Sequence, residues 1–287
     1  MTPTLVRHQS RTASAPSAGT TGRARDWAEI QERMLVPLVE AAYERLDVGP
    51  ATRLLGLGCG SGLALLIAAS RGAAVTGVDR PERAARLALA RERLVSETGR
   101  DGAPGMGASR LVTGSPADTR EPDRPPYNLI TAFEPIGCAA GDTEGLVSTL
   151  EAAVALAEHG SAVVLAGWGP PERCATSAVL RVATGLAARL DDAPRWRPSA
   201  RDDLEDVAAR AGLKPDGSGR VACPFGYADL DSAVRGLMST GAFDAAARAT
   251  DQAQVEKELI EALHGHVRRD GTVWMPNVFR YLIARTP

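Results

Sequence analysis

Lysine is nearly missing from this chain: Lys214 and Lys257 are the only two among 287 residues, and arginine carries the rest of the positive charge. We read that bias, together with heavy alanine, glycine and proline use, as genome composition, so no arginine is assigned as a phosphate clamp on this ground. Cysteine is scarce as well. Cys59, Cys138, Cys174 and Cys223 lie far apart and form no C-x-x-C pair, which excludes a disulfide framework and a cysteine-based zinc site. A reducing, cytoplasmic setting is therefore expected, and no metal site. No apolar run approaches the roughly 20 residues needed to cross a bilayer, so no membrane partner is expected. Neither sign of charge dominates, with 33 Lys+Arg against 35 Asp+Glu and a net charge of −2. This argues against an electrostatically driven nucleic-acid binder, which normally calls for a net basic surface, so no nucleic-acid partner is expected.

What remains is a chain with 44% hydrophobic and 24% charged residues, the balance of a globular protein long enough for one large α/β domain with an appendage. Residues 1–25 have no apolar periodicity, no acid before Asp26 and no hydrophobic core of a signal peptide. They read as a disordered tail. From there Trp27, Ile30, Met34, Leu38, Ala42 and Leu46 recur at steps of three and four, an amphipathic helix that Gly49-Pro50 ends. Short apolar runs then alternate with helical patterns. Strands are expected at 53–57, 74–78, 110–113, 128–133 and 161–166. Helices are expected at 63–70, 82–94, 147–156, 177–190 and 202–211, with loops at 98–109 and 119–126. This alternation predicts a parallel, doubly wound sheet covered on both faces. Beyond it, strand candidates at 219–224 and 278–284 flank helical patterns at 230–238, 245–249 and 254–263. The division expected is a core over 26–224, a helical cap insertion over 225–275 and a returning strand over 276–287. A cap of this kind serves as a lid or pocket wall.

The strongest local signal is Leu54-Leu55-Gly56-Leu57-Gly58-Cys59-Gly60-Ser61-Gly62. Glycines at a strand-to-helix turn allow close backbone approach to a ligand and adopt φ values that other residues resist. The spacing is G-x-G-x-G. A nicotinamide site would need G-x-G-x-x-G, and Leu63 occupies its third slot, which excludes an NAD-dependent oxidoreductase. The second strand ends at Asp79, where a carboxylate is placed to accept both hydroxyls of a ribose. Strand, loop, helix and acid together point to a nucleoside-containing ligand.

On these residues the chain resembles the class I S-adenosylmethionine-dependent methyltransferases, over roughly Trp27–Trp168 and the final strand. The resemblance implies a Rossmann-like, mostly parallel seven-stranded sheet with an antiparallel last strand. It implies S-adenosylmethionine as cofactor, with Gly58, Cys59, Gly60 and Gly62 near its methionyl part and Asp79 at the ribose. Arg80 would lie beside the adenosine, Asp118 of the 114–118 turn at the adenine edge, and Phe133 at the end of the fourth strand facing cofactor and substrate. Three positions depart from the family: acids are replaced by Gly56 before the loop, by Ser115 after the third strand and by Asn128 at the start of the fourth.

Methyl transfer asks mainly for alignment and exclusion of water, and for a base only when the nucleophile must lose a proton. Glu134, at a strand end facing the crevice, and His266, near the end of a cap helix, are the catalytic candidates. His264 and Tyr227 are weighed beside them. Both histidines also read as helix-end cations favoured by the dipole. Trp27 reads as a core anchor or a lid over the cofactor, Trp168 as a wall of the substrate pocket, and Phe225 with Tyr227 as pocket lining or hinge packing. Charged runs such as Arg91-Glu92-Arg93 read as solvated faces. The expected function is methylation of an oxygen, nitrogen or carbon nucleophile on a small organic acceptor, with a homodimer left open. The three missing acids motivate the alternative: a non-catalytic ligand sensor or scaffold on the same frame.

Overall fold

Runs of Leu, Val and Ile too short for helices pair side by side, and their alternation decides which side chain meets which layer. The computed structural model describes residues 18–98, 108–121, 123–188, 190 and 195–287. Among these, β1 (Arg53–Leu57), β2 (Ala74–Asp79), β3 (Ser109–Thr113), β4 (Tyr127–Ile136), β5 (Ala157–Trp168), β6 (Lys214–Ala222) and a late strand, Val278–Arg285, form one seven-stranded sheet. The late strand lies between β5 and β6, antiparallel to both, and the order across the sheet is β3-β2-β1-β4-β5-late strand-β6. The chain reverses direction across the sheet at β1, which has β2 on one side and β4 on the other. In open α/β sheets that switch point opens a crevice at the carboxyl ends of the strands.

Both sheet faces are apolar. Leu54, Val75 and Val164 join one buried cluster and their neighbours Leu55, Val163 and Leu165 the other, the period of two that a doubly covered strand requires. Helices α2 (Val36–Arg45) and α3 (Leu63–Ser70) and a later helix, Thr176–Leu186, pack on the first face. Helices over Asp142–Val154 and Asp203–Arg210 pack on the second. In chain order the helices are α1 (Ala18–Asp26), α2, α3, α4 (Ala84–Thr98), α5 (Asp142–Val154), α6 (Thr176–Leu186), α7 (Asp203–Arg210), α8 (Leu230–Ser239), α9 (Asp244–Ala249) and α10 (Gln252–Leu263).

Two differences from the expected layout bear on function. Residues 18–25, read as part of a disordered tail, are helical in α1, whereas 1–17 lie outside the described residues, as do 99–107 of the expected 98–109 loop. The sequence of α1, with two glycines and no apolar stripe, has no helical signal of its own. Its order comes from tertiary contacts: Ala24 is buried, and Arg23 donates to Asp244 at 2.7 Å and to the carbonyl of Met238 at 3.1 Å. The segment then passes through a π turn (Trp27–Gln31) and a 3-10 turn (Glu32–Leu35) into α2. The amphipathic stripe is thus a broken helix, bent where it crosses the glycine loop.

The second difference lies in the cap. The segment expected to be helical throughout is bracketed by a two-stranded antiparallel sheet of β7 (Phe225–Tyr227) and β8 (Val273–Met275), with the late strand following as β9. Trp168, Phe225 and Phe279 pack together at its base, with ring centroids 4.6–6.1 Å apart. Phe225 and Tyr227 are buried in this hinge. Among the cap helices, α8 packs on α1 and the π turn, while α9 and α10 pack on α6.

Candidate functional site

The turn between β1 and α3 carries three left-handed glycines: Gly58 at φ 58°, Gly60 at 57° and Gly62 at 79°. Side chains there would be strained, and at Gly62 a Cβ would also lie 2.9 Å from the Cβ of Ala90. The loop is held from below by the next strand. Cys59 N–H donates to the Val78 carbonyl at 3.2 Å, and Gly60 N–H donates to Asp79 Oδ2 at 2.9 Å. Asp79 Oδ1 accepts the Arg80 N–H at 2.8 Å, with the Arg83 guanidinium 4.0 Å away. Burial pushes the Asp79 carboxyl above its ordinary range, and Arg83 and the two N–H groups offset only part of that. Each of its oxygens keeps an acceptor position, so further hydroxyl donors arriving there would favour the ionised form.

The N-terminal helical segment covers the loop. Glu32 Oε1 accepts the Ser61 N–H at 3.0 Å, and Oε2 accepts from the Ser61 hydroxyl and from Arg93 Nη1 at 2.9 Å. Arg93 also donates to the Ser61 carbonyl at 2.9 Å and to the Ala28 carbonyl at 3.3 Å. It is therefore a clamp between α4 and the N-terminal segment, where the sequence suggested a solvated face. Trp27 lies over Gly60, and Arg86 stacks on its ring 4.1 Å from the centroid while donating to the carbonyl of Ser239 in α8 at 2.6 Å. Burial and then the neighbouring Arg83 push Arg86 down to about 10, still well above neutrality.

At the mouth, Arg83 grips Glu134 with two parallel bonds: Nη1 to Oε2 at 2.6 Å and Nη2 to Oε1 at 2.5 Å. The pair lies across Gly58, where a Cβ would stand 3.5 Å from Glu134 Oε2. Water still reaches about half of the Glu134 side chain (53% exposed), although protein surrounds the mouth. Burial works against its charge, but Arg83, with Arg86 and Arg80 behind it, outweighs this and holds the carboxyl below its usual range. Arg83 is stabilised in turn: burial opposes its charge, and Glu134 and Asp79 more than restore it. Behind the mouth the crevice is apolar, walled by Leu35, Val36, Val39, Ala64, Leu65 and Phe133. Phe133 is edge-packed on Tyr43 at 5.5 Å.

The structure thus brings together Gly58, Cys59, Gly60, Phe133 and Glu134 around one crevice, with Asp79 buried beneath the loop and Gly62 closing it behind. Arg80 is exposed beside Asp79. Asp118 sits in the adjoining turn, where Gly114 N–H donates to the Asp79 carbonyl at 2.9 Å. Its carboxylate accepts the Ser115 N–H and hydroxyl at 2.7 and 2.8 Å, capping the short helix Pro116–Thr119. His266 is elsewhere: it lines a separate open groove of about 700 Å³ with Arg173, Arg181 and Trp274. Tyr227 is buried and donates to Gln31 at 2.9 Å, so it has no route to a ligand.

The three departures now have physical contexts. Gly56 pairs with Gly77, and Leu65 of α3 fills the notch between them. A Cβ at Gly56 would lie 2.8 Å from Leu65 Cδ2, and one at Gly77 2.4 Å from Cδ1. Ser115 is consumed by the cap just described. Asn128 is at the opposite end of the sheet, accepting the Arg53 N–H at 2.7 Å and donating to the Ala51 carbonyl at 3.0 Å, so it bears on strand entry and not on the crevice. The sequence reading missed Glu32, Arg83, Arg86 and Arg93. The three-residue step Arg80, Arg83, Arg86 is a readable signal after Asp79; Glu32 has none, because it reaches the loop only through the bend before α2.

No protein-family model and no curated protein sequence matches the chain. Solved structures do. The YcgJ protein of Bacillus subtilis superposes with a TM-score of 0.54 at 15% identity, covering 86% of this chain and 97% of that one. Magnesium protoporphyrin IX methyltransferase (ChlM) from Synechocystis PCC 6803, solved with bound S-adenosylhomocysteine, gives 0.52 at 13% identity over 94% and 95%. The [4+2]-cyclase SpnF gives 0.50 at 15% identity over 87% and 80%. The chain therefore has the fold of the class I S-adenosylmethionine-dependent methyltransferases, and chemistry must be argued from the crevice itself.

Proposed function

We propose that the protein is an S-adenosylmethionine-dependent methyltransferase acting on an oxygen, nitrogen or carbon nucleophile of a small organic acceptor. The observation that carries this reading is the three left-handed glycines of 58–62 bonded to the buried carboxylate of Asp79 at the switch point of the sheet. The residues fit the cofactor. Gly58 keeps the mouth open, with a Cβ there only in ordinary contact 3.5 Å from Glu134 Oε2, Asp79 lies directly beneath the loop through its bond from Gly60 N–H, and the apolar wall suits a thioether. Bound there, S-adenosylmethionine supplies an electrophilic methyl group that needs no further activation.

The protein's part is then to hold, align and dry. Asp79 and the loop fix the nucleoside. Phe133, Leu35, Val36 and Val39 exclude water. The Arg83–Glu134 pair stands where an acceptor would enter, and Glu134 held ionised there orients a hydroxyl or amine as hydrogen-bond acceptor. It is a weak base while Arg83 grips it, so the reading favours acceptors that are nucleophilic as neutral amines or activated carbons, or whose approach releases Glu134 from Arg83.

Calorimetric titration with S-adenosylmethionine and S-adenosylhomocysteine tests the reading. Micromolar or tighter binding that Asp79→Ala abolishes, with near-UV circular dichroism unchanged, supports it. A folded wild type that binds neither ligand refutes it. The second reading, a ligand-binding protein that does not turn over, draws on the salt-bridged state of Glu134. It predicts cofactor binding without methyl transfer across an acceptor screen.

A further inference from the structure

Two groups converge above Gly60 from the N-terminal segment. A Cβ built on Gly60 would lie 2.9 Å from Glu32 Oε1 and 3.2 Å from Trp27 Nε1. The Trp27 ring nitrogen is buried and has no hydrogen-bond partner among the described residues, a costly state for an N–H that can only donate. Glu32 Oε1 has accepted one bond, from Ser61 N–H, and keeps one acceptor position. Both residues line the crevice. An unsatisfied donor and a part-satisfied anionic acceptor at one point, each about 3 Å from the same Cβ position on Gly60, match the two charged groups on the α-carbon of an amino acid.

Charges beside the pair fit the same match. Arg86 stacks on Trp27 and adds positive potential where a carboxylate would meet the indole N–H. Arg93 holds Glu32 in place through Oε2, leaving Oε1 toward Gly60. Meanwhile β1 offers no acid at this point, since position 56 is glycine with Leu65 packed over it, and Asp79 of β2 is engaged by the Gly60 and Arg80 N–H groups beneath the loop. Resting on the methyltransferase reading, we propose that the N-terminal segment, and not β1, recognises the amino-acid end of the cofactor. Glu32 takes the ammonium group and the Trp27 indole N–H takes the carboxylate.

The test compares ligands that share the nucleoside and differ in that end. S-adenosylhomocysteine carries the amino acid; 5′-methylthioadenosine keeps the thioether and nucleoside without it. Glu32→Gln retains an oxygen for Ser61 N–H but gives up the Arg93 ion pair, and Trp27→Phe retains a ring under Arg86, so the methylthioadenosine arm reads any general loosening of the segment. By calorimetry each should weaken S-adenosylhomocysteine by about tenfold or more, the size of one charge-assisted hydrogen bond, and leave methylthioadenosine within about twofold of wild type. A desamino analogue of S-adenosylhomocysteine, lacking only the ammonium, should bind wild type and Glu32→Gln alike and Trp27→Phe more weakly. Unchanged S-adenosylhomocysteine affinity in both variants, or parallel losses for both ligands, overturns the assignment. A wild type that binds methylthioadenosine no less tightly than S-adenosylhomocysteine overturns it too, while leaving the nucleoside site standing. A wild type that binds neither ligand removes the methyltransferase reading itself.

Discussion

Gly56→Asp would restore the acid usual before this type of loop, and the packing says that the protein cannot easily take it. The new Cβ meets Leu65 Cδ2 at 2.8 Å. Leu65 is 1% exposed, and its other methyl already fills the notch over Gly77, 2.4 Å from where a Cβ there would be. Overpacking of this kind costs about 1–3 kcal/mol. The carboxyl adds a penalty between zero, where the crevice admits water to it, and about 4 kcal/mol, the work of protonating an aspartate at pH 7. A loss of about 1–7 kcal/mol follows, and at roughly 2 °C per kcal/mol for a chain of this size the melting temperature should fall by at least ~2 °C.

Urea denaturation of wild type, Gly56→Asp, Leu65→Ala and the double variant measures this. Leu65→Ala alone should cost about 3–5 kcal/mol through its cavity. The double variant should lose clearly less than the sum, because the trimmed side chain gives the carboxylate its space. S-adenosylhomocysteine affinity should not improve in Gly56→Asp, since Glu32 already supplies a carboxylate at the loop. A Gly56→Asp protein within about 0.5 kcal/mol of wild type, or strict additivity in the double variant, would refute the steric argument.

Gly62→Ala places a side chain at φ 79° against Ala90; it should destabilise by about 2 kcal/mol, the sum of left-handed strain and modest overpacking, as read by denaturant midpoint. Glu134→Gln should remove stability that wild type holds at neutral pH. The folded carboxyl is depressed, so that contribution is complete above the ordinary carboxylate pKa of about 4.3 and is lost as pH falls through the lower folded value. The wild-type and variant stability curves should therefore converge on acidification, and a constant offset down to pH 2 would contradict the Arg83 pairing. Burial pushes the thiols of Cys59 and Cys174 up, Cys138 to about 12 and Cys223 to about 11, so native protein at pH 8 should alkylate far more slowly than unfolded protein in a mass-resolved iodoacetamide time course. His266→Ala should leave S-adenosylhomocysteine affinity unchanged, since that side chain lines the other groove; a loss by calorimetry would mean that the cap moves over the crevice.

Much of the frame is written in local sequence, and for local reasons. The period-two alternation of Leu54-Leu55 and Val163-Val164 requires a doubly covered strand. A G-x-G-x-G turn between strand and helix requires glycine at three left-handed positions. An acid ending the next strand lies beside that turn whenever β1 and β2 are parallel neighbours, because Leu57 then pairs with Val78 and brings Gly60 N–H onto Asp79. These features depend on residues a few positions apart, so the chain alone settled them.

Other features depend on residues brought together from far along the chain, and only the tertiary structure decided them. The helical state of 18–25 comes from Arg23 reaching Asp244, 221 residues away. Glu134 read as a free strand-end base until Arg83, 51 residues before it, was found holding both of its oxygens. Asn128 read as a lost cofactor contact, whereas strand direction puts it at the far edge of the sheet. Trp27 read as either core anchor or lid, and Glu32 gave no local sign at all. Their place over Gly60 follows from a bend before α2 and from Arg93 and Arg86 of α4, and long-range charge and packing of that kind have no period to read in a sequence.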